Sequence, residues 1–266
     1  MSRLFAFGCS YTRYAYATWA DFVGVNFNEY RNYGRGGASN NYILSKFIEA
    51  YTRHNINSDD TVIVMFTGFG RMSYIPKNSE GHLNWVTNGD FYEYYRNTKD
   101  KHIKDFLEYM YSDNWATEFA YQSVKTIKEI LTLKGIKHKF LMSIDNSHYL
   151  DNEGSKWGRV DRLADESVRK TNEIYQLLDI KESLDQFKEI YSRDDYYVWK
   201  LENNRFDGHP TQRMHYDFVK QHLPEYLTDK AVEAFETVEK LFMGDSQSNQ
   251  STRFYNEYQY KILKDL

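Results

Sequence analysis

The sequence predicts an α/β domain built on a parallel sheet, and three observations carry that prediction. Apolar runs of strand length at residues 4–7, 61–66 and 139–144 alternate with stretches of helical periodicity. The first two runs break into glycine-containing loops, at Gly8 and at Thr67-Gly68-Phe69-Gly70-Arg71. The stripe Ala120, Val124, Ile127 and Leu131 runs to Gly135 and then into the third strand, the helix-to-strand order of a parallel unit.

The elements follow in chain order. Residues 4–7 read as a buried first strand and residues 18–23 as a short helix stopped at Gly24. Residues 29–33 form a short second strand, and the run at 33–41 is a glycine-rich turn in which Ser39 caps the next helix. That helix carries Ile43, Leu44, Phe47, Ile48 and Tyr51 on one face. The β-branched run Thr61-Val62-Ile63-Val64-Met65-Phe66 is the clearest buried strand. Residues 72–113 are aromatic and weakly periodic, and are expected to be an insertion, partly helical near 100–111, that can cover a site. A second, polar insertion is expected at 145–205, with a helix at about 161–179 and a short strand at 196–199. Thr211 caps a helix bearing Met214, Phe218 and Leu223. Residues 1–225 therefore read as the main domain. Residues 226–266 read as a helical extension, marked by Ala231, Ala234, Phe235, Val238 and Leu241, with a polar linker at 244–252.

Bulk properties narrow the function. The chain has 266 residues, 41% of them hydrophobic, enough for a sizeable core. A net charge of −4 argues against a generic nucleic-acid surface. The single cysteine, Cys9, forms no internal disulfide, which fits synthesis in a reducing, cytoplasmic setting. No secretory signal pattern and no membrane-length apolar stretch are visible, so a soluble chain with no membrane partner is expected. The 24 tyrosines read as core and surface filling, with sugar-stacking platforms as the sharper alternative.

Two short segments carry the chemistry, FGCSYT at 7–12 and DGHP at 207–210. Ser10 stands past the carboxyl end of a strand, where open α/β sheets bind ligands. His209 precedes Pro210, which restricts its backbone and aims the imidazole, as a general base requires. Asp207 can orient that ring. Gly34, Gly36 and Gly37 allow a backbone N–H to face a developing oxyanion, or simply make a turn. Cys9 is expected to be buried, since neighbours on a strand end point to opposite sides. His209, His215 and Asp207 match no common ligand spacing, so neither metal nor cofactor is expected.

FGCSYT, NYGRGGASN, VIVMFTGFGR and DGHP occur in the order of the four blocks of the SGNH (GDSL-like) hydrolases. The chain most resembles the divergent members found in tailed bacteriophages, over residues 3–71 and 114–222. The resemblance implies a three-layer αβα sandwich with a parallel, flavodoxin-like five-stranded sheet. It also implies ester hydrolysis through an acyl-enzyme. It would make Ser10 the nucleophile, His209 the base and Asp207 its orienting acid, with Gly37 and the Ser10 N–H as oxyanion donors. Two departures stand out. Gly68-Phe69-Gly70-Arg71 replaces the family's Gly-x-Asn-Asp run, leaving Arg71, Asn40 or a backbone N–H as substitute donors. One residue rather than two separates Asp207 from His209, so the acid stays open and a Ser-His dyad is the alternative. The expected substrate is a small-molecule or glycan ester, an O-acetylated carbohydrate among the options. The competing reading is a non-catalytic virion or accessory protein that binds glycan or partner subunits, with the extension making oligomer or virion contacts.

Overall fold

The structure, a computed structural model, describes residues 2–14, 16–76, 85–90, 98–143, 165–179, 199–200, 206–207 and 209–244. Its centre is a parallel sheet of β1 (Arg3–Phe7), β2 (Glu29–Asn32), β3 (Thr61–Phe66) and β6 (Lys137–Met142) in the order β2-β1-β3-β6. Leu4 pairs with Tyr30 on one side and Thr61 on the other, and Thr61 pairs with Lys137.

Side-chain alternation along these strands builds two cores. Phe5, Phe7, Val62, Val64 and Phe66 face one way, onto α2 (Asn40–His54), α4 (Asp113–Leu133) and α5 (Asp165–Leu178). Leu4, Ala6, Ile63 and Met65 face the other way, onto α1 (Trp19–Gly24), α6 (Gln212–His222) and α7 (Asp229–Gly244). A strand buried on both faces has no polar side, which is why β3 reads as a continuous apolar run. Each fully buried side chain such as Phe5 or Ile63 contributes roughly 1.5–3 kcal/mol. The result is the three-layer αβα arrangement expected from the sequence.

The sheet holds four parallel strands among the described residues, where the resemblance implies five. Residues 144–164, 180–198 and 201–205 lie outside the described residues, and they hold most of the second expected insertion, 145–205. Within it, α5 is described from Asp165, and the expected start near 161 lies outside the described residues. The strand expected at 196–199 is described only from Trp199, as β7 (Trp199–Lys200), antiparallel to β8 (Phe206–Asp207). The first expected insertion, 72–113, contributes a two-stranded hairpin, β4 (Arg71–Tyr74) with β5 (Val86–Asp90), and α3 (Lys101–Tyr109). The extension's helix α7 packs back on the body, with Ala234, Phe235 and Val238 in the second core; residues 245–266 lie outside the described residues.

Capping follows the sequence. The Ser39 hydroxyl accepts from the Tyr42 N–H, and the Thr211 hydroxyl accepts from the Met214 N–H at 3.3 Å. At the amino end of the sheet, Arg3 ties the start of β1 to the start of β3. Its Nε and Nη2 donate to the two Asp60 oxygens at 2.7 and 2.6 Å, and Asp60 raises the guanidinium pKa. Among the described residues, no helix is long and apolar enough to cross a membrane.

Candidate active site

The loop from β1 to α1 holds Ser10. The Cys9 carbonyl accepts from the N–H groups of Thr12 and Arg13 at 3.0 and 3.2 Å, closing a tight turn with Ser10 inside it. Gly8 is required by crowding, because a Cβ there would lie 2.0 Å from the Thr12 hydroxyl oxygen. The Thr12 carbonyl anchors the loop by accepting from the Thr18 hydroxyl at 2.7 Å and the Asn32 amide at 2.8 Å. Cys9 is fully buried and sits 3.5 Å from the Ser143 hydroxyl, packed with Ala38 and Tyr42. Ser10 is itself only 4% exposed.

His209 arrives from the far end of the chain, just ahead of α6. Its Nε2 lies 2.8 Å from the Ser10 Oγ across a separation of 199 residues. The ring is held by tyrosines of the same loop that carries the serine. Tyr14 stacks on it face to face, with centroids 4.2 Å apart and planes 20° off parallel. Tyr11 meets it edge-on at 5.7 Å. The Tyr16 hydroxyl donates to the Pro210 carbonyl at 2.6 Å, fixing the backbone beside the imidazole. A second imidazole, His215, packs edge-on against Tyr11 at 6.4 Å. Burial, with a smaller contribution from His209, pushes its pKa down to about 3, so it is neutral at ordinary pH.

The remaining expected residues fall as follows. Gly37 adopts a left-handed φ of +70°, and a Cβ there would lie 2.4 Å from the Thr87 carbonyl oxygen, so only glycine fits. Its carbonyl accepts from the Gly89 N–H at 3.0 Å, docking the β4–β5 hairpin on the glycine-rich loop. The Asn40 amide is partly engaged by Thr67. Its Nδ2 donates to the Thr67 carbonyl and its Oδ1 accepts from the Thr67 N–H, both at 3.0 Å, so the side chain clamps the end of β3. Arg71 reaches the Ala38 carbonyl at 3.5 Å. Phe69, in the run that replaces the family's asparagine, is buried in the first core. The Asp207 backbone pairs with Trp199, while its side chain and Gly208 lie outside the described part of the chain. Among the described residues no group of three His, Cys, Asp or Glu side chains is placed to hold a metal ion.

The sequence reading missed the tyrosine cage. Its signal was local: three tyrosines, Tyr11, Tyr14 and Tyr16, directly follow the serine. Against a background of 24 tyrosines they read as composition.

No family model matches the chain, and no curated protein matches it. Solved structures do. A member of the lipolytic G-D-S-L family from Veillonella parvula aligns at 15% identity over 84% of this chain and 97% of its own, with a TM-score of 0.42. An acetylxylan esterase from Geobacillus stearothermophilus aligns at 15% identity over 86% and 94%, with a TM-score of 0.43. A GDSL-like lipase from Bacteroides thetaiotaomicron aligns at 13% identity over 90% and 88%, with a TM-score of 0.35. At such identities and TM-scores these likenesses carry no functional weight, and the chemistry of this chain has to be read from its own side chains.

Proposed function

We propose that the chain is a serine-dependent hydrolase of the SGNH esterase type, acting on an acyl ester. The observation that supports this reading is the 2.8 Å contact between the His209 Nε2 and the Ser10 Oγ. In the proposed cycle the imidazole takes the Ser10 proton as the Oγ–carbon bond forms. The carbonyl π electrons move onto oxygen, and the Ser10 and Gly37 N–H groups receive that charge. Collapse breaks the ester C–O bond, and the imidazolium gives its proton to the departing alcohol. Water, deprotonated by His209, then releases the acid and restores the serine. Asp207 is the assigned orienting acid, and a Ser-His dyad steadied by the tyrosine cage is the alternative arrangement. Arg71, Asn40 or a backbone N–H supplies the third oxyanion donor; one Asn40 N–H is engaged by the Thr67 carbonyl and the second remains for the oxyanion. An O-acetylated carbohydrate, stacked on the aromatic residues around the loop, is the substrate class to assay first.

A second reading, a non-catalytic SGNH-fold virion or accessory protein that binds glycan or partner subunits, draws on one observation. Gly70, which has no side chain to donate, stands where the family carries its oxyanion asparagine. In that reading, residues 226–266 make the oligomer or virion contact. One experiment separates the two. A fluorophosphonate probe should label the folded protein, the label should disappear in Ser10→Ala, and short-chain aryl esters should be hydrolysed by wild type only. Folded wild type that neither takes the label nor hydrolyses any ester would leave the binding reading standing.

A further inference from the structure

Arginine is satisfied unevenly in this molecule. Among the described residues Arg3, Arg31, Arg53, Arg169 and Arg213 each lie within 4 Å of a carboxylate oxygen. Among those same described residues, Arg13, Arg35 and Arg71 meet no carboxylate at that distance. All three lie on one rim. Arg13 and Arg35 belong to the loops that leave the carboxyl ends of β1 and β2, and Arg71 opens β4 just past the carboxyl end of β3; these are adjacent strands with β1 in the middle. Those loops touch in sequence around Ser10. The Arg13 N–H shares the Cys9 carbonyl turn that encloses the serine. Gly34 packs so closely on Arg13 that a Cβ would lie 2.8 Å from its Cβ. The Arg35 N–H donates to the Gly8 carbonyl at 3.1 Å, and the Arg71 Nη1 reaches the Ala38 carbonyl at 3.5 Å.

Arg35 and Arg71 make their hydrogen bonds to neutral carbonyls, while Arg13 acts at longer range on the buried Asp21 carboxyl. Arg35 donates to the Trp85 carbonyl at 2.8 Å and lies 5.8 Å over the Tyr42 ring. Such contacts orient a guanidinium and leave its charge unbalanced. A single exposed arginine needs no explanation. Three with no carboxylate within 4 Å among the described residues, flanking one buried serine where five others are paired, describe a receptor for an anion. Building on the serine-hydrolase reading, we infer that the ester substrate carries a carboxylate or phosphate near its scissile bond, and that Arg13, Arg35 and Arg71 receive it.

Matched esters test this. For the acyl side, 4-nitrophenyl hemisuccinate is compared with 4-nitrophenyl acetate. For the alcohol side, 3-acetoxybenzoate is compared with its methyl ester. At low salt, the anionic member of at least one pair should have a kcat/KM about tenfold higher, the scale of one charge-assisted hydrogen bond. That preference should shrink as ionic strength rises. It should collapse in Arg13→Gln with Arg35→Gln, and invert in Arg35→Glu. A ratio of two substrates on one preparation is independent of how much enzyme is folded. Equal rates within both pairs, or a preference that these variants leave in place, overturn the inference while the serine reading survives. Should no ester be turned over, titration calorimetry with inorganic phosphate and with succinate at fixed ionic strength decides the anion site alone. Binding lost in the double variant keeps it, and absence of binding in wild type removes it.

Discussion

The two ends of the parallel sheet use the same residue type in opposite ways. At the amino end the Arg3 guanidinium is closed by Asp60, whose side chain is 1% exposed, and the pair stitches β1 to β3. At the carboxyl end, Arg13, Arg35 and Arg71 follow β1, β2 and β3 with no carboxylate within 4 Å among the described residues, and a nearly buried serine hydroxyl shares a hydrogen bond with an imidazole from 199 residues away. Charge that is cancelled holds strands together. Charge left uncancelled, beside the proposed nucleophile and base, would be available to something that arrives from solvent. The sheet thus separates a structural end from a chemical one, as open α/β sheets do at the carboxyl ends of their strands.

That contrast can be broken in graded steps. The largest expected effect is Ser10→Ala, which should lower ester hydrolysis by about a thousandfold or more while leaving the unfolding midpoint nearly unchanged. Steady-state rates together with a urea melt check both halves. Next comes acid stability. His215 titrates near 3 in the fold and near 6.5 in an unfolded chain, so the unfolded state binds the proton first. Its contribution is complete above about pH 6.5 and drains away as pH falls toward 3. Between pH 7.5 and 4.5 the loss should be about 3 kcal/mol, and urea midpoints should show a shallower decline in His215→Gln. At the amino end, Asp60→Ala leaves a half-buried guanidinium without its partner and should cost about 2–3 kcal/mol of stability with kcat unaltered. Denaturation and rate data on one preparation test that separation, and a drop in kcat would end the division of labour between the two ends. The smallest expected effect is Tyr14→Leu. Removing the stacked ring should lower kcat about tenfold with little change in KM, and Tyr14→Phe, which keeps the ring, should restore it.

Local signals carried the fold well. Strand alternation placed Phe5 and Leu4 on opposite faces, and Ser39 and Thr211 cap the helices they were expected to cap. Burial of Cys9 followed from strand geometry. What stayed hidden depends on pairings between distant segments. Nothing near Asn40 in the chain shows that its amide will engage Thr67, 27 residues on. The left-handed Gly37 takes its meaning from a hairpin fifty residues later, whose Thr87 carbonyl leaves no space for a side chain. The tyrosine cage could not be separated from composition until His209 was placed against it. Residue type and order suggested the serine and the histidine; only the fold revealed what surrounds them.

The Tyr16–Pro210 hydrogen bond gives this protein a timetable. On the ribosome the serine and its tyrosines emerge while the imidazole they contact is still about two hundred codons away. At roughly 5–20 residues per second, that delay is about 10–40 s. Throughout it a nascent polypeptide exposes a hydroxyl with no base, harmless to any acylated molecule nearby. The proposed reactivity would switch on only when translation delivers the His209 segment that closes over the serine made about two hundred residues before it.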